Sequence, residues 1–272
     1  VQNGSTIRNC HVEGTLRSSS EGTEMAGLAY DNHGLIENCS ANVTTWGYRA
    51  APIAVNNHAD GVIRNCVAQG EVNITCHAVG SGFVCNNEGL IEQSESRTDI
   101  TAKLGKNAGR ENSLSATGFV EKNSGIIREC TAHGKLSTDN TPIFASDISV
   151  VAGFCMTNTG RIESCYAAGE YKDNSAGNYP AKMVMFVRDN GIVANHTYET
   201  PQTGIIVNSF AAGSISPYLQ PVSLAWESNT FVFHATFHNE DNSANYELAA
   251  PGMEVNCYWR SDGIPATDNA LG

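Results

Sequence analysis

Hydrophobic and polar residues along this chain alternate at every second position over short runs, with Asn and Gly between the runs. A period of two is typical of β-strands, and Asn and Gly are typical of tight turns. No stretch of useful length has the 3.6-residue period of an amphipathic helix. The pattern therefore predicts an all-β fold that is built from many short strands.

The same pattern recurs along the chain as a copy of 19 residues. The clearest copies begin at Gly82, Gly118 and Gly153, and each contains Gly-Phe, then Asn, a Gly two residues later, an Ile, and finally Cys or Ser. Another copy begins at Gly27, and one with two extra residues begins at Pro52. With partial copies at both ends, about eight cover nearly the whole chain.

Stacked copies of this length predict a single-stranded parallel β-helix, a solenoid of about eight coils. Each copy would supply three short strands, and each strand would pair in parallel with its equivalent about 4.8 Å away in the next coil. We expect one repeat domain over residues 1–272, with residues 172–272 less regular. A β-propeller is excluded because its four-stranded blades need about 40 residues.

The repeat also predicts columns of like residues along the solenoid. Phe83, Phe119 and Phe154 should stack inside, as should Ile91, Ile127 and Ile162, while the repeated Asn should form a polar ladder. His33 and His58 are expected to lie next to each other in adjacent corners. The glycines that follow each Asn fit sharp corners with positive φ, and they are Gly34, Gly61, Gly89, Gly125, Gly160 and Gly191.

One position of the repeat accepts either Cys or Ser. Ser94 and Ser209 occupy it in two copies, and the other copies have Cys10, Cys39, Cys66, Cys130 and Cys165. This interchange indicates a small buried side chain, and most of these cysteines should be free thiols. The chain has no Cys-x-x-Cys motif, which argues against a zinc ribbon or a thioredoxin-like site.

Charge excludes some partners. The 28 acidic residues outnumber the 16 basic ones and give a net charge of −12, which argues against binding to nucleic acid or an anionic membrane. No run of 18 apolar residues is present, so membrane insertion is not expected. One outward row mixes both signs, which predicts a solvated surface with weak pairing, through Arg8, Glu37, Arg64, Glu92, Arg128 and Glu163.

The motif N-x-G-x-I-x-N-C-x-A-x-G-x-V, best seen over 32–39, 57–72 and 123–136, resembles the bacterial GLUG repeat. The resemblance implies a secreted or wall-attached bacterial surface protein, since such repeats occur in IgA-specific metallopeptidases and presumed adhesins. Because the chain opens inside a repeat and closes soon after one, we also expect it to be excised from a longer protein. The chain lacks His-Glu-x-x-His, so the metallopeptidase catalytic domain is not within it.

Two functions follow as hypotheses. The first is a non-catalytic extracellular module, an adhesive stalk or spacer, monomeric when isolated and without cofactor or metal. The second is a carbohydrate-active β-helix enzyme, which would need a groove with two or three carboxylates within reach of one another. The His234 and His238 pair, followed by Glu240 and Asp241, has spacing that could suit a metal, but solvated side chains are the favoured interpretation.

Any host protein or glycan is expected to bind where residues are left over between copies. These segments should leave the coil at one corner and collect on one side of the rod, and they are 17–26, 46–51, 73–81, 101–117, 137–152, 172–184 and one near 216–230. Exposed aromatic residues commonly contact sugars and proteins. The candidate anchors are Trp46, Tyr48, Tyr179, Tyr218 and Trp226.

Overall fold

A computed structural model describes residues 1–18, 20, 22–104, 114–140, 149–174, 182–191, 202–215, 253–255 and 258–262. These residues form 28 strands in three sheets and contain no helix. Every strand pairing described within them is parallel, for example β4 (Ala29–Asn32) with β7 (Ala54–Asn57). The predicted all-β parallel solenoid is therefore confirmed.

Sheet A contains eight strands of three residues, one from each successive coil. Its middle residue is Ile in the first seven coils, from Ile7 to Ile206, and this Ile is fully buried from Ile36 onward. The strands are β1 (Thr6–Arg8), β5 (Leu35–Glu37), β8 (Val62–Arg64), β11 (Leu90–Glu92), β15 (Ile126–Arg128), β20 (Arg161–Glu163), β25 (Ile205–Val207) and β27 (Met253–Val255).

Sheet C contains six strands that end on the repeated Asn. Besides β4 and β7, they are β10 (Val84–Asn87), β14 (Val120–Asn123), β19 (Cys155–Asn158) and β24 (Val187–Asn190).

Sheet B contains fourteen strands and forms the widest side of the solenoid. Its strands are β2 (His11–Arg17), β3 (Glu24–Ala26), β6 (Ser40–Ala51), β9 (Val67–Ser81), β12 (Glu95–Leu104), β13 (Leu114–Thr117), β16 (Thr131–Ala132), β17 (Leu136–Asn140), β18 (Ser149–Ala152), β21 (Tyr166–Ala167), β22 (Glu170–Asp173), β23 (Lys182–Val184), β26 (Phe210–Ile215) and β28 (Tyr258–Asp262).

The coil is longer than the 19-residue copy. Successive ladder asparagines are 25, 30, 36, 35 and 32 residues apart. Segments 46–51 and 73–81 do not leave the coil as loops, because they continue strands β6 and β9 within sheet B. The copy is therefore only the part of each coil whose sequence repeats. The rest of the coil lies in sheet B, where the sequence can vary while the backbone stays paired.

The interior contains the predicted columns. The rings of Phe83, Phe119, Phe154 and Phe186 stack with centroids 4.6–4.8 Å apart. Ile91, Ile127 and Ile162 lie in register in sheet A and are fully buried. These columns place the apolar core inside the coils that they cross.

The buried asparagines form a ladder of amide hydrogen bonds. Each Nδ2 donates to the Oδ1 of the next coil at 2.7 Å, from Asn32 through Asn57, Asn87, Asn123 and Asn158 to Asn190. An amide carries both a donor and an acceptor, so like can pair with like without an unsatisfied group.

The prediction of positive φ at the Asn-Gly corner is wrong for five of its six glycines, because only Gly191 adopts it. Glycine is needed there for close approach. A Cβ at Gly125 would lie 2.2 Å from the Gly89 carbonyl oxygen. Positive φ occurs instead at the residue before the Cys/Ser position, which is Asn9, Asn38, Asn65, Gln93, Glu129, Ser164 or Asn208. Asn tolerates this conformation better than most residues.

The Cys/Ser position follows that left-handed corner. Cys66 Sγ donates to the carbonyl of Arg64 at 3.2 Å, and Ser94 Oγ makes the equivalent bond to Glu92 at 2.8 Å. Cys39, Cys66, Cys130 and Cys165 are buried and free, as predicted, whereas Cys10 in the first coil is exposed. The interchange is explained because either side chain supplies a small donor to the same carbonyl.

Candidate functional site

A group of charged side chains lies where sheet B meets the outer face of sheet C, in the N-terminal coils. Strand pairing places Glu24 and Arg49 in neighbouring coils of sheet B. Sheet C contributes Glu121 from β14, two coils further along the rod. The side chains of Arg49 and Glu121 are only 16% and 9% exposed, so their charges interact in a partly dry environment.

Arg49 joins two carboxylates. Its Nη1 donates to Glu24 at 2.9 Å, and its Nη2 donates to Glu121 at 2.9 Å and to the Asn86 Oδ1 at 2.6 Å. The Tyr30 hydroxyl donates to the other oxygen of Glu24. A depression of about 320 Å³ lies beside Tyr30 and Glu24, with Leu16, Met25, Ala26, Leu28 and Ala29 along it.

The network continues along the outer face of sheet C. The Asn86 amide donates to Asn56 at 2.9 Å, and the Asn56 amide donates to Asp31 at 2.8 Å. His58 Nε2 lies 3.1 Å from the same Asp31 oxygen. Glu24 and His58 therefore belong to one connected chain of polar contacts.

The network ends in the two corner histidines. The rings of His33 and His58 stack with centroids 3.9 Å apart and planes 4° from parallel, as the sequence predicted. His33 Nδ1 lies 2.9 Å from Asp60, which also accepts a bond from the Asn3 amide at 3.1 Å. Each ring thus contacts a carboxylate from the neighbouring coil.

The protonation of these groups is set by their partners. Burial opposes ionisation of Glu24, but hydrogen bonds from Tyr30 and Arg49 outweigh it and lower the pKa of Glu24. Bonds from Asn56 and His58 lower the pKa of Asp31, and the bond to Glu24 raises the pKa of Tyr30. Burial opposes the charge of Arg49, but the charge of Glu121 together with the hydrogen bonds to Glu24 and Glu121 outweighs it, so the pKa of Arg49 is raised.

These shifts bear on what the cluster can do chemically. A general acid or base works best when its pKa lies near the working pH. Here the pKa values of Glu24 and Asp31 lie below their ordinary values and the pKa of Tyr30 lies above its ordinary value, so these three groups are held in fixed charge states at pH 7. The arrangement therefore suits electrostatic bracing or anion–cation contact better than proton transfer.

The sequence-predicted anchors divide into two groups. Trp46 lies half-buried in β6, where the Arg17 guanidinium carbon sits 4.2 Å from its ring centroid. Tyr48 is half-buried at a β-bulge in the same strand. Because Arg17 covers one face of the indole, a sugar could stack on that face only after Arg17 moves. Tyr179, Tyr218, Trp226, His234 and His238 lie outside the described residues, as do Glu240 and Asp241.

The outer face of sheet A carries two parallel columns. The outer apolar column consists of the first residues of β5 to β27, namely Leu35, Val62, Leu90, Ile126, Ile205 and Met253, interrupted by Arg161 and preceded by Thr6 of β1. The charged column consists of the third residues, and it alternates strictly in sign through Arg8, Glu37, Arg64, Glu92, Arg128 and Glu163. Glu37 accepts bonds at 2.5 Å from both Arg8 and Arg64.

A second exposed cluster lies beside this face in the C-terminal coils. The rings of Tyr166 and Phe210 stack at 5.3 Å, and His133 meets Tyr166 edge-on at 5.7 Å. Stacking along the rod turns the ring edges, and not the faces, outward.

Sequence reasoning missed the Arg49 cluster. Glu24 and Glu121 are 25 and 72 residues from Arg49, and two of the three residues lie near or between copies, where the repeat gives no register. The bulge at Gly47–Arg49 further offsets the strand pairing at this point. The three residues come together because each coil is longer than the 19-residue copy, and the copy alone does not predict that length.

Comparison with protein-family models and with curated proteins finds no match. Within the described ranges, no group of three or more His, Cys, Asp or Glu side chains is arranged to hold a metal ion. The same part of the chain contains no helix long and apolar enough to cross a bilayer.

Proposed function

We propose that this chain is a non-catalytic repeat module of a large bacterial extracellular protein, acting as a rigid spacer or adhesive stalk. The observation that supports this most directly is the continuity of its internal columns. The Phe stack, the Ile column and the Asn ladder cross successive coils without interruption.

Such columns favour a stiff rod. Eight coils at about 4.8 Å give a length of about 38 Å. Bending the rod would open the amide ladder on one side, and a buried amide without a partner is costly. A rod of this kind holds whatever is attached to its two ends at a fixed separation.

The resemblance to the GLUG repeat supports the extracellular setting, since such repeats belong to large bacterial surface proteins. Host protein or glycan remains the proposed partner class of an adhesive stalk. In the described part, Trp46 and Tyr48 are the anchors of this hypothesis, and both are half-buried on sheet B.

The alternative is a carbohydrate-active β-helix enzyme, and one observation favours it. Glu24 and Glu121 meet on Arg49, which satisfies part of the requirement for neighbouring carboxylates in a groove. The directions of the pKa shifts of Glu24 and Tyr30 count against acid–base chemistry there.

Two measurements test the proposal. First, single-molecule energy transfer between dyes at the two ends of the rod should give a narrow distribution of end-to-end distances near 40 Å. A Gly-Ser chain of equal residue number should give a broad distribution. Second, incubation with a panel of acidic and neutral polysaccharides should release neither reducing ends nor unsaturated products.

The variant Glu121→Gln separates the two functions, with Glu129→Gln, an exposed glutamate that accepts a bond from Gln93, as the matched control. Polysaccharide cleavage that disappears in Glu121→Gln and persists in Glu129→Gln would establish the enzyme. A broad end-to-end distribution for the folded chain would contradict the rigid spacer.

A further inference from the structure

The outer face of sheet A is a surface that could contact another molecule along the whole rod. Ile126 and Met253 are 43% and 52% exposed, so this column presents apolar surface to solvent. The apolar column runs beside the charged column, so an apolar stripe is flanked by charge along its length.

The charged column has no net charge over coils one to six, because it contains three arginines and three glutamates in alternation. The whole chain carries a formal charge of −12, so two copies repel each other over most of their surfaces. Sheet A is therefore a face on which two copies can approach without that repulsion.

An alternating column of even length is also self-complementary. If a second copy faces the first with its rod reversed, and the two-fold axis passes between the third and fourth coils, every odd coil faces an even one. Arg64 then meets Glu92 of the second copy, and the remaining pairs, Glu37 with Arg128 and Arg8 with Glu163, are also of opposite sign.

The apolar column fits the same register. Val62 meets Leu90 of the second copy, and Leu35 meets Ile126. The polar residues at the two ends of this stretch, Thr6 and Arg161, face each other at the rim. A register moved by two coils keeps two charge pairs instead of three, and it places the apolar Val62 against Arg161 and the charged Glu37 against Val207.

We infer that two copies of this chain associate side by side through the outer faces of sheet A, antiparallel, with the two-fold axis between the third and fourth coils. Six coils about 4.8 Å apart and two columns wide give a small contact, of about 300 Å² on each copy. Stable interfaces bury about 1,200 Å² or more in total, so we expect weak pairing that matters where copies are concentrated, as on a surface.

Sedimentation equilibrium across a concentration series tests this directly. The chain should be monomeric at about 10 μM and should form dimers near 1 mM. Leu90→Arg places two like charges near the two-fold axis and should weaken dimerisation at least tenfold. Ile205→Arg is the matched control, because Ile205 is in the same column and similarly half-buried but lies beyond the paired coils.

Cross-linking tests the register without depending on those charges. Leu90→Cys lies about 5 Å along the rod from its counterpart in the second copy, whereas Ile205→Cys lies about 34 Å from its own. A short bis-maleimide should therefore link Leu90→Cys dimers and not Ile205→Cys dimers, with the unsubstituted chain as the background for native thiols. A chain that stays monomeric at 1 mM, or links equally well at both positions, would overturn the inference.

Discussion

Columns inside the solenoid stack like on like, whereas the charged column outside sheet A alternates. Inside, Phe119 stacks on Phe83 and Phe154, and Asn123 bonds to Asn87 and Asn158. Outside, Arg and Glu change places at every coil. The difference follows from chemistry, because rings and amides are self-complementary and a charge is not.

The comparison also separates the interior residues, which determine the structure, from the exterior residues, which tolerate substitution. An interior residue contacts the equivalent residue in each of the two neighbouring coils, so a single replacement breaks two contacts. Outside, the arginines of the charged column are exposed, and water replaces much of what a lost partner supplied to them. We therefore expect substitutions inside to have large effects and substitutions outside to have small ones.

The largest contrast should appear in thiol reactivity. Burial raises the pKa of Cys66 to about 12, whereas Cys10 holds the same repeat position but is exposed in the first coil. Because the thiolate is the reactive form, alkylation of Cys66 at pH 8 should be slower than that of Cys10 by about a thousandfold. Peptide-level mass spectrometry over a time course measures both rates.

In denaturant the two cysteines should react at similar rates, which serves as the control. Equal rates in the folded protein would mean that the Cys/Ser position is open to solvent. A mass that shows Cys39 or Cys66 in a disulfide would contradict the free-thiol assignment.

Phe119→Ala should cause the largest loss of stability. The substitution leaves a cavity between two rings that now stack on either side, and such truncations cost about 4 kcal/mol. Urea unfolding followed by circular dichroism gives the free energy of unfolding. The control Ile126→Ala removes an exposed side chain of the outer apolar column and should change that free energy by less than about 0.5 kcal/mol.

Asn123→Leu should rank next. Leu has a similar volume, but it leaves the Asn87 amide without its acceptor and the Asn158 oxygen without its donor, for a loss of about 3 kcal/mol. Lys122→Leu, an exposed neighbour in the same strand, is the matched control. Equal effects of the two substitutions would show that the ladder does not hold the coils together.

The sequence was sufficient to predict the interior columns, but it was not sufficient to predict the length and path of each coil around them. Phe83, Asn87 and Ile91 recur at fixed spacing within a copy, so their columns could be predicted from the repeat alone. The segments between copies have no such constraint, because their outward side chains face water. Their continuation of sheet B, and with it the meeting of Arg49 with Glu121, depends on a register that the copy does not contain.

The position of the left-handed corner was missed for a related reason. Glycine after Asn indicated positive φ, but Gly61, Gly89 and Gly125 are required by carbonyl groups of the neighbouring coil. The backbone turn occurs at residues as different as Asn38 and Glu129. A conformation that several residue types can adopt leaves little trace in a single sequence.

The smallest expected effect comes from the charged column and depends on pH. Burial raises the pKa of Glu37, but bonds and charge from Arg64 and Arg8 outweigh it, so its pKa lies below the ordinary value. A carboxylate of this kind stabilises the fold at pH values above its unfolded pKa of about 4.3, and that stabilisation is lost as the pH falls through the lower folded value.

Glu37→Gln should therefore lower the unfolding midpoint slightly at pH 7, and its difference from the unsubstituted chain should shrink as the pH falls below about 4.5. Thermal unfolding over a pH series measures this, and added salt should reduce the difference because Arg8 and Arg64 are well exposed. The loss in Asn123→Leu should stay constant over the same range, because no charge enters the amide ladder. A Glu37→Gln difference that is independent of pH would mean that shape or packing, and not charge alternation, keeps Glu37 in this column.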